Sequence, residues 1–223
     1  MKKIILSVLL LVATLTSAQE TNNEKNPDKL KAFFTYGLNF QVHDEYAINS
    51  KLNQAGLPEL KTTTPELFLG MTFFGKKYSG DLDFGFLNSK NENDANENKY
   101  IGFTTRLRVH YNVVNKEKIA FTTGLNISNT TGELNIYSKN NPIDLNNLVP
   151  DFNSGHVSLR NNLYYAGPSA SVYFFKNKAT QLRLNVGYEF AFSKGNWKSD
   201  YGNVLNSVNE RGNNRFLFGL TIM

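Results

Sequence analysis

The 223-residue chain contains no cysteine, only three histidines, one tryptophan and six prolines. Without cysteine there is no disulfide framework, no thiolate metal site, no nucleophilic thiol and no lipidated N-terminal cysteine. Long hydrophobic runs are equally scarce. The only one, Ile4 to Leu15, is 12 residues long, short of the roughly 20 that a membrane-spanning helix needs. A helical membrane protein is thereby excluded. Charge of one sign is not in large excess either: 24 basic against 19 acidic residues give +5, which falls to +3 without Lys2 and Lys3. Spread along the chain, so modest an excess does not point to nucleic acid.

What is present begins with a targeting pattern. Residues 1 to 18, MKKIILSVLLLVATLTSA, place Lys2 and Lys3 before an apolar core and end on the small residues Thr16, Ser17 and Ala18. That order predicts a secretory signal peptide cleaved after Ala18. Residues 19–30, QETNNEKNPDKL, are polar and hold Pro27, so a short periplasmic tail with little structure is expected there. The remaining domain runs from 31 to 223.

From Ala32 onward apolar residues fall at every second position, the period of a β-strand with two unlike faces. Phe34, Tyr36, Leu38, Phe40 and Val42 share one face of the first such segment. The alternation returns at 65–74, 78–88, 100–114, 118–128, 164–175, 181–193 and 214–223, which predicts eight strands. Short links at 74–78, 115–118 and 176–180 alternate with long ones at 43–63, 89–99, 129–163 and 194–213. Such strict alternation predicts an all-β, eight-stranded antiparallel up-and-down transmembrane β-barrel with its short turns at one rim and its loops at the other.

The polar face sharpens that reading. By parity it carries Gly37, Gly70, Gly85, Gly102, Gly124, Gly167, Gly187 and Gly219. Strand interiors normally avoid glycine, so eight on one face predict a narrow interior in which larger inward side chains need the room. On the other face, Phe34, Phe73, Tyr78, Tyr111, Phe121 and Phe174 gather toward the short-turn ends, with Phe40, Phe86, Phe190 and Phe192 toward the loops. Aromatic girdles at headgroup depth have this arrangement.

These features together resemble the small eight-stranded outer-membrane proteins of Gram-negative bacteria, the OmpA-like and OmpX-like barrels. The Asn-rich loops and the leader are similar to those of the Bacteroidota. The resemblance covers about residues 31 to 223 and implies a cell outer membrane location, with outer-membrane lipid and the barrel assembly machinery as partners and no cofactor. In one respect the chain departs from the pattern: the family's last strand commonly ends in an aromatic residue, and here it reads Leu220-Thr221-Ile222-Met223.

Candidate functional residues lie inside the barrel and in the loops. Asp81, Asp83, Arg106, Arg108, His110, Glu189 and Arg215 fall on the inward face with Glu66 and Arg183. Antiparallel pairing is expected to set Asp81 and Asp83 beside Arg106 and Arg108, and Glu189 opposite Arg215, as an ion-pair network filling a lumen too narrow for much else. His43, beside Asp44, and His156, near Ser154 and Ser158, belong to the loop side, with no motif tying them into a triad, so no catalytic residue is assigned. Nor do three scattered histidines predict a metal site. In the first long loop Ile48 and Leu52 predict a short helix stopped by Gly56 and Pro58, on which Ile143, Leu145, Leu148 and Val149 could pack as a cap. Asn91 to Lys99 reads as a solvated loop tip. A structural or surface-interaction barrel, with an extracellular partner met through its loops and no nucleic acid, accounts for most of this; a narrow solute channel, an outer-membrane lipid enzyme and a soluble periplasmic carrier are the alternatives.

Overall fold

The computed structural model describes residues 30–140, 145–146 and 156–223. The expected signal peptide, almost all of the polar tail, and Ile143, Leu148, Val149 and Ser154 lie outside the described residues. In chain order the elements are β1 (Lys31–His43), α1 (Asn49–Gln54), β2 (Thr63–Phe74), β3 (Tyr78–Glu92), β4 (Asn96–Asn115), β5 (Ile119–Ser138), β6 (His156–Phe174), β7 (Leu182–Ala191) and β8 (Arg215–Ile222). Each strand pairs antiparallel with the next, and β8 closes on β1. The eight-stranded up-and-down barrel expected from the period is what forms.

Closure leaves no sheet edge and gives each strand an inner and an outer face. The outer face is apolar: Phe34, Leu67 and Leu125 are 67%, 65% and 62% exposed, whereas the inward Arg108, Arg183 and Arg215 are fully buried. The inward glycines make room for large neighbours. Gly37, Phe68 and Gly85 share one row across β1, β2 and β3; a Cβ at Gly37 would come within 2.8 Å of the Phe68 ring, and one at Gly85 within 2.5 Å of the Glu66 carboxyl carbon. Near the short-turn end of β4 an extra residue, Val113, interrupts the pairing between Asn112 and Val114, so Val113 and Val114 both face outward in the manner of a β-bulge.

Two of the expected loops are largely strand. β3 and β4 stay paired out to Glu92 and Glu97, so the Asn91 to Lys99 segment is the top of a hairpin whose tip, Glu92 to Ala95, is exposed to solvent. Likewise β5 and β6 pair from Ile119 and Phe174 up to Tyr137 and His156, which takes up much of the loop expected at 129–163. β4, β5 and β6 are therefore 20, 20 and 19 residues long against 8 for β8. Hydrophobic alternation fades along these extensions because water meets their outer face.

The tall strands make a half-cylinder above the closed barrel, and α1 fills its concave side. Ile48 and Leu52 pack there with Tyr46, Leu60, Tyr100, Leu134, Ile136 and Trp197, with Leu57, Leu159 and Val208 at the edge. A cap built on Ile48 and Leu52 is present, and its partners among the described residues come from β4, β5 and the last loop; of the four expected, only Leu145 is described, and it is 79% exposed.

Candidate functional site

Inward charges are costly unless paired, and the lumen pairs them in two separate tiers. Nearer the tall end, Arg106 donates to both carboxylate oxygens of Glu66, at 2.7 and 3.2 Å, and its Nε lies 3.5 Å from Glu189. Arg215 donates to Glu189 through Nε at 2.8 Å, and to Gln41 at 2.6 Å, Ser128 at 2.9 Å and Thr130 at 3.0 Å. Asn39 and Gln41 both donate to Glu66. Nearer the short turns, Arg108 lies 2.7 Å from Asp83 and 3.4 Å from Asp81. Arg183 pairs with Asp81 and donates to Thr72 and Thr221, each at 3.0 Å. Each tier holds two acids and two arginines, so each is neutral.

This division departs from the single cluster expected of Asp81, Asp83, Arg106 and Arg108. The register is as expected, with Asp81 opposite Arg108, Asp83 opposite Arg106, and Glu189 opposite Arg215. Arg106 nevertheless forms its ion pairs with Glu66 and Glu189, not with Asp83. Gly85 explains the choice: lacking a side chain, it lets the Glu66 carboxylate reach across β3 toward β4. Between the tiers Thr35, Ser171 and Asn185 have side-chain polar atoms that meet no partner within the protein, so this belt is polar without being fully self-satisfied.

Aromatic residues pack beyond each tier. Below the lower tier, Phe74, Ala120 and Tyr173 pack together with Phe33 and Met223, and the Arg183 guanidinium sits 5.8 Å from the Tyr173 ring. Above the upper tier, Arg215 stands 3.8 Å over Tyr165; His43 follows, its ring 6.4 Å from Tyr165 and 5.1 Å from Tyr46, the first residue of the apolar cap. The sequence of layers is thus aromatic cluster, ion tier, polar belt, ion tier, aromatic stack and cap.

Each histidine is held by hydrogen bonds to neighbouring side chains. His110 lies between Thr122, at 2.8 Å, and Ser169, at 2.6 Å. Ser169 donates its own proton to Asn126 at 2.7 Å, so it accepts from His110 rather than being activated by it. His43 contacts Asn213 at 2.9 Å and Gln41 at 3.1 Å. His156 contacts Asn135 at 2.9 Å and stacks on Tyr137 with centroids 4.7 Å apart. Ser158 donates to Glu133 at 3.3 Å, and Asp44 accepts from the Asn214 backbone at 3.2 Å. Among the described residues, no group of three His, Asp or Glu is placed to hold a metal ion.

Two features escaped the sequence reading. The first is Glu210, 1% exposed, whose carboxylate accepts from the Ala47 and Ile48 backbone at 2.7 and 3.0 Å and from the Trp197 indole at 2.7 Å. It ties the last loop to the entry of α1. A lone tryptophan within a polar loop was the available signal. The second is where the charge sits. The loop end carries nine basic and nine acidic side chains among the described residues, and the lumen tiers cancel, whereas the short-turn rim carries Lys31, Lys76 and Lys77, Lys116 and Lys118, and Lys176 and Lys178 against Glu117 alone. The basic excess of the described residues is therefore not spread along the chain but gathered at one rim. No protein-family model matches this chain, and no curated protein matches it in sequence.

Proposed function

We propose that the chain is an exported outer-membrane β-barrel with a closed lumen, acting as a structural or surface-interaction element through its tall end. The observation that carries this reading is the reversed polarity of the wall: Leu, Phe, Val, Ile and Tyr face outward on the strands while arginines and carboxylates are buried inside. In water so continuous an apolar surface would aggregate or be covered by a partner; in a bilayer it is the side that lipid requires. The aromatic residues at both ends of this band suit headgroup depth: Phe34, Tyr78 and Tyr111 toward the short turns, Phe40, Phe190 and Phe192 toward the loops.

On this reading residues 1 to 18 are removed on export, the short turns face the periplasm, and the tall hairpins and α1 stand outside the cell, where they meet a partner or the lipid surface. The neighbours are then outer-membrane lipid and the barrel assembly machinery, as in OmpA-like and OmpX-like proteins, and the leader and Asn-rich loops suit a Bacteroidota source. Paired tiers between aromatic layers favour a filled interior over the solute channel.

Sedimentation of the expressed chain with the outer-membrane fraction is the first test. The sharper one is a pair of substitutions on β7. Leu184→Arg, at the middle of the apolar face, is expected to cost about 2 to 4 kcal/mol of stability in lipid, and Phe190→Arg, on the same face at its loop end, only about 0 to 1 kcal/mol. Equal effects at the two sites would reject lipid contact. Planar-bilayer conductance well above background would replace the filled interior with the channel.

A further inference from the structure

The outer wall is grooved at the level where its apolar band ends. By register, two neighbouring outward rows cross the tall strands there: Phe86, Phe103, Thr131 and Asn162 in the lower, and Ile101, Glu133 and Arg160 in the upper. Between them run two joined depressions of about 340 and 320 Å³, which share Thr131 and Arg160. Gly102 and Gly132, register partners on β4 and β5, lie between the rows and line the first depression. Each row changes character along its length. It is apolar on β3 and β4 and polar on β5 and β6.

Beyond β6 the last loop completes the polar end. Lys198 and Arg160 exchange two backbone hydrogen bonds, at 2.6 and 2.8 Å, and Phe192 donates to the Tyr164 carbonyl at 3.0 Å; around the stretch between these two contacts, Asn162, Lys194, Asn196 and Asp200 line the second depression. The half-exposed Arg160 guanidinium is held from two sides, by Glu133 at 3.2 Å and Asp200 at 2.5 Å. Beneath it on the same outer face, Tyr164 and Phe192 present exposed rings whose centres are 6.1 Å apart.

We propose that this groove holds a lipid with an uncharged saccharide headgroup, the sugar lying on β5, β6 and the last loop and the start of an acyl chain lying against Phe86, Ile101 and Phe103. The proposal rests on the reading of the wall as lipid-facing. The mixture of polar groups selects the headgroup. Sugar hydroxyls both donate and accept, which matches carboxylates, amides, a guanidinium and ammonium groups set around one depression. A phosphate would meet Glu133 and Asp200 as well as the cations, and Arg160 already answers those two acids. Position selects a lipid over a free sugar: the groove lies where the outward residues turn from apolar to polar, the depth of a headgroup, and its β3–β4 end offers apolar side chains to a hydrocarbon.

For the test, the chain is reconstituted in phosphatidylcholine nanodiscs doped with diglucosyl diacylglycerol, the discs are dissolved in a sugar-free detergent, and the glycolipid that stays bound is counted by native mass spectrometry. The wild type should retain it, and Arg160→Ala with Asp200→Ala should lower retention at least about tenfold. Lys90→Ala with Glu97→Ala, which removes an ion pair of the same charges from the loop end outside the groove, should stay within about twofold. Phe103→Ala should lower retention about threefold or more, and Phe121→Ala, outward near the short turns, should leave it unchanged. Equal losses from the two ion-pair variants, or from the two phenylalanine variants, would overturn the site. Phosphatidylglycerol at the same mole fraction should not displace the glycolipid; displacement would make the groove an anion site and overturn the saccharide. Free maltose in large excess should not displace it either, and if it did the lipid source would fall. A chain that enters the discs but keeps no glycolipid refutes the site alone, whereas a chain that does not enter them refutes the membrane reading and the site with it.

Discussion

Strands β3 to β6 are built twice over, once in the closed barrel and once in the half-cylinder above it, and the two stretches keep the same parity with opposite chemistry. On β3 the outward positions run Leu82, Phe84, Phe86 and then Asn88, Lys90, Glu92; on β5 the inward ones run Thr122, Asn126, Ser128, Thr130 and then Leu134, Ile136. Backbone pleating fixes which side a residue faces. What occupies that side depends on its solvent. Below the change the interior is polar and tied by ions; above it the interior is an ordinary apolar core around α1 with a wetted exterior, as in a soluble β-protein. The lower stretch is held by charge pairing that punishes any single loss, the upper by packing whose losses stay local.

The largest effect is therefore expected in the lower tier. Asp81 pairs with Arg183 and lies 3.4 Å from Arg108, so Asp81→Asn leaves two buried guanidinium groups sharing Asp83 alone. A cost of about 3 to 5 kcal/mol is expected for such a loss where burial is complete. Arg183→Gln should cost a similar amount, and the double variant clearly less than the sum. Chemical unfolding of the four proteins measures the cycle. A second cycle addresses the division into tiers: coupling of Arg106 with Glu66 should exceed coupling of Arg106 with Asp83, although the latter two are register neighbours. Equal couplings would mean one network and not two.

In the upper stretch Leu134→Ala should cost about 3 kcal/mol through the cavity it leaves, since Leu134 is fully buried in the cap. The loss should appear as faster amide exchange around α1 and the tops of β4 and β5, with protection of β7 and β8 unchanged. Loss of protection throughout would show that the half-cylinder and the barrel unfold as one unit.

The contrast also explains what could be read from the sequence. The barrel strands were legible because one face is apolar and the other lines a polar lumen, so the period of two survives intact from Phe34 to Val42 and from Phe216 to Ile222. The extensions were not: in NENDANENK the outer residues are polar because water meets them, and the inner ones include Asn98, buried against the Pro58 carbonyl, so composition no longer separates the faces. Strand register was legible for Glu189 and Arg215. The partner of Arg106 was not, because register names the nearest Cα and says nothing of a carboxylate that crosses an intervening glycine. The basic rim was hidden by totals, since a net charge of +5 does not disclose that the basic excess of the described residues gathers at one end.

The smallest expected effect is also the most local. Glu210 accepts three hydrogen bonds with its two carboxylate oxygens: Ala47 N–H reaches one, while Ile48 N–H and the Trp197 indole share the other. Glu210→Gln keeps the shape but replaces one acceptor by an amide NH2. If the remaining oxygen stays with Ile48 and Trp197, the new NH2 opposes the Ala47 N–H; if the amide turns over, both Ile48 and Trp197 lose their acceptor. Either arrangement leaves buried donors unanswered and removes a charged acceptor, worth about 1 to 2 kcal/mol. The ion tiers are not touched, so the strand signal in circular dichroism should melt as in the wild type. Trp197 is the chain's only tryptophan and 2% exposed, so its fluorescence reports the cap alone. Its emission should move to the red, and exchange of the Ala47 and Ile48 amides should quicken. An unshifted emission maximum would mean that packing against Tyr100, Leu134 and Ile136 holds the indole without Glu210, and that the upper stretch needs no polar tie at all.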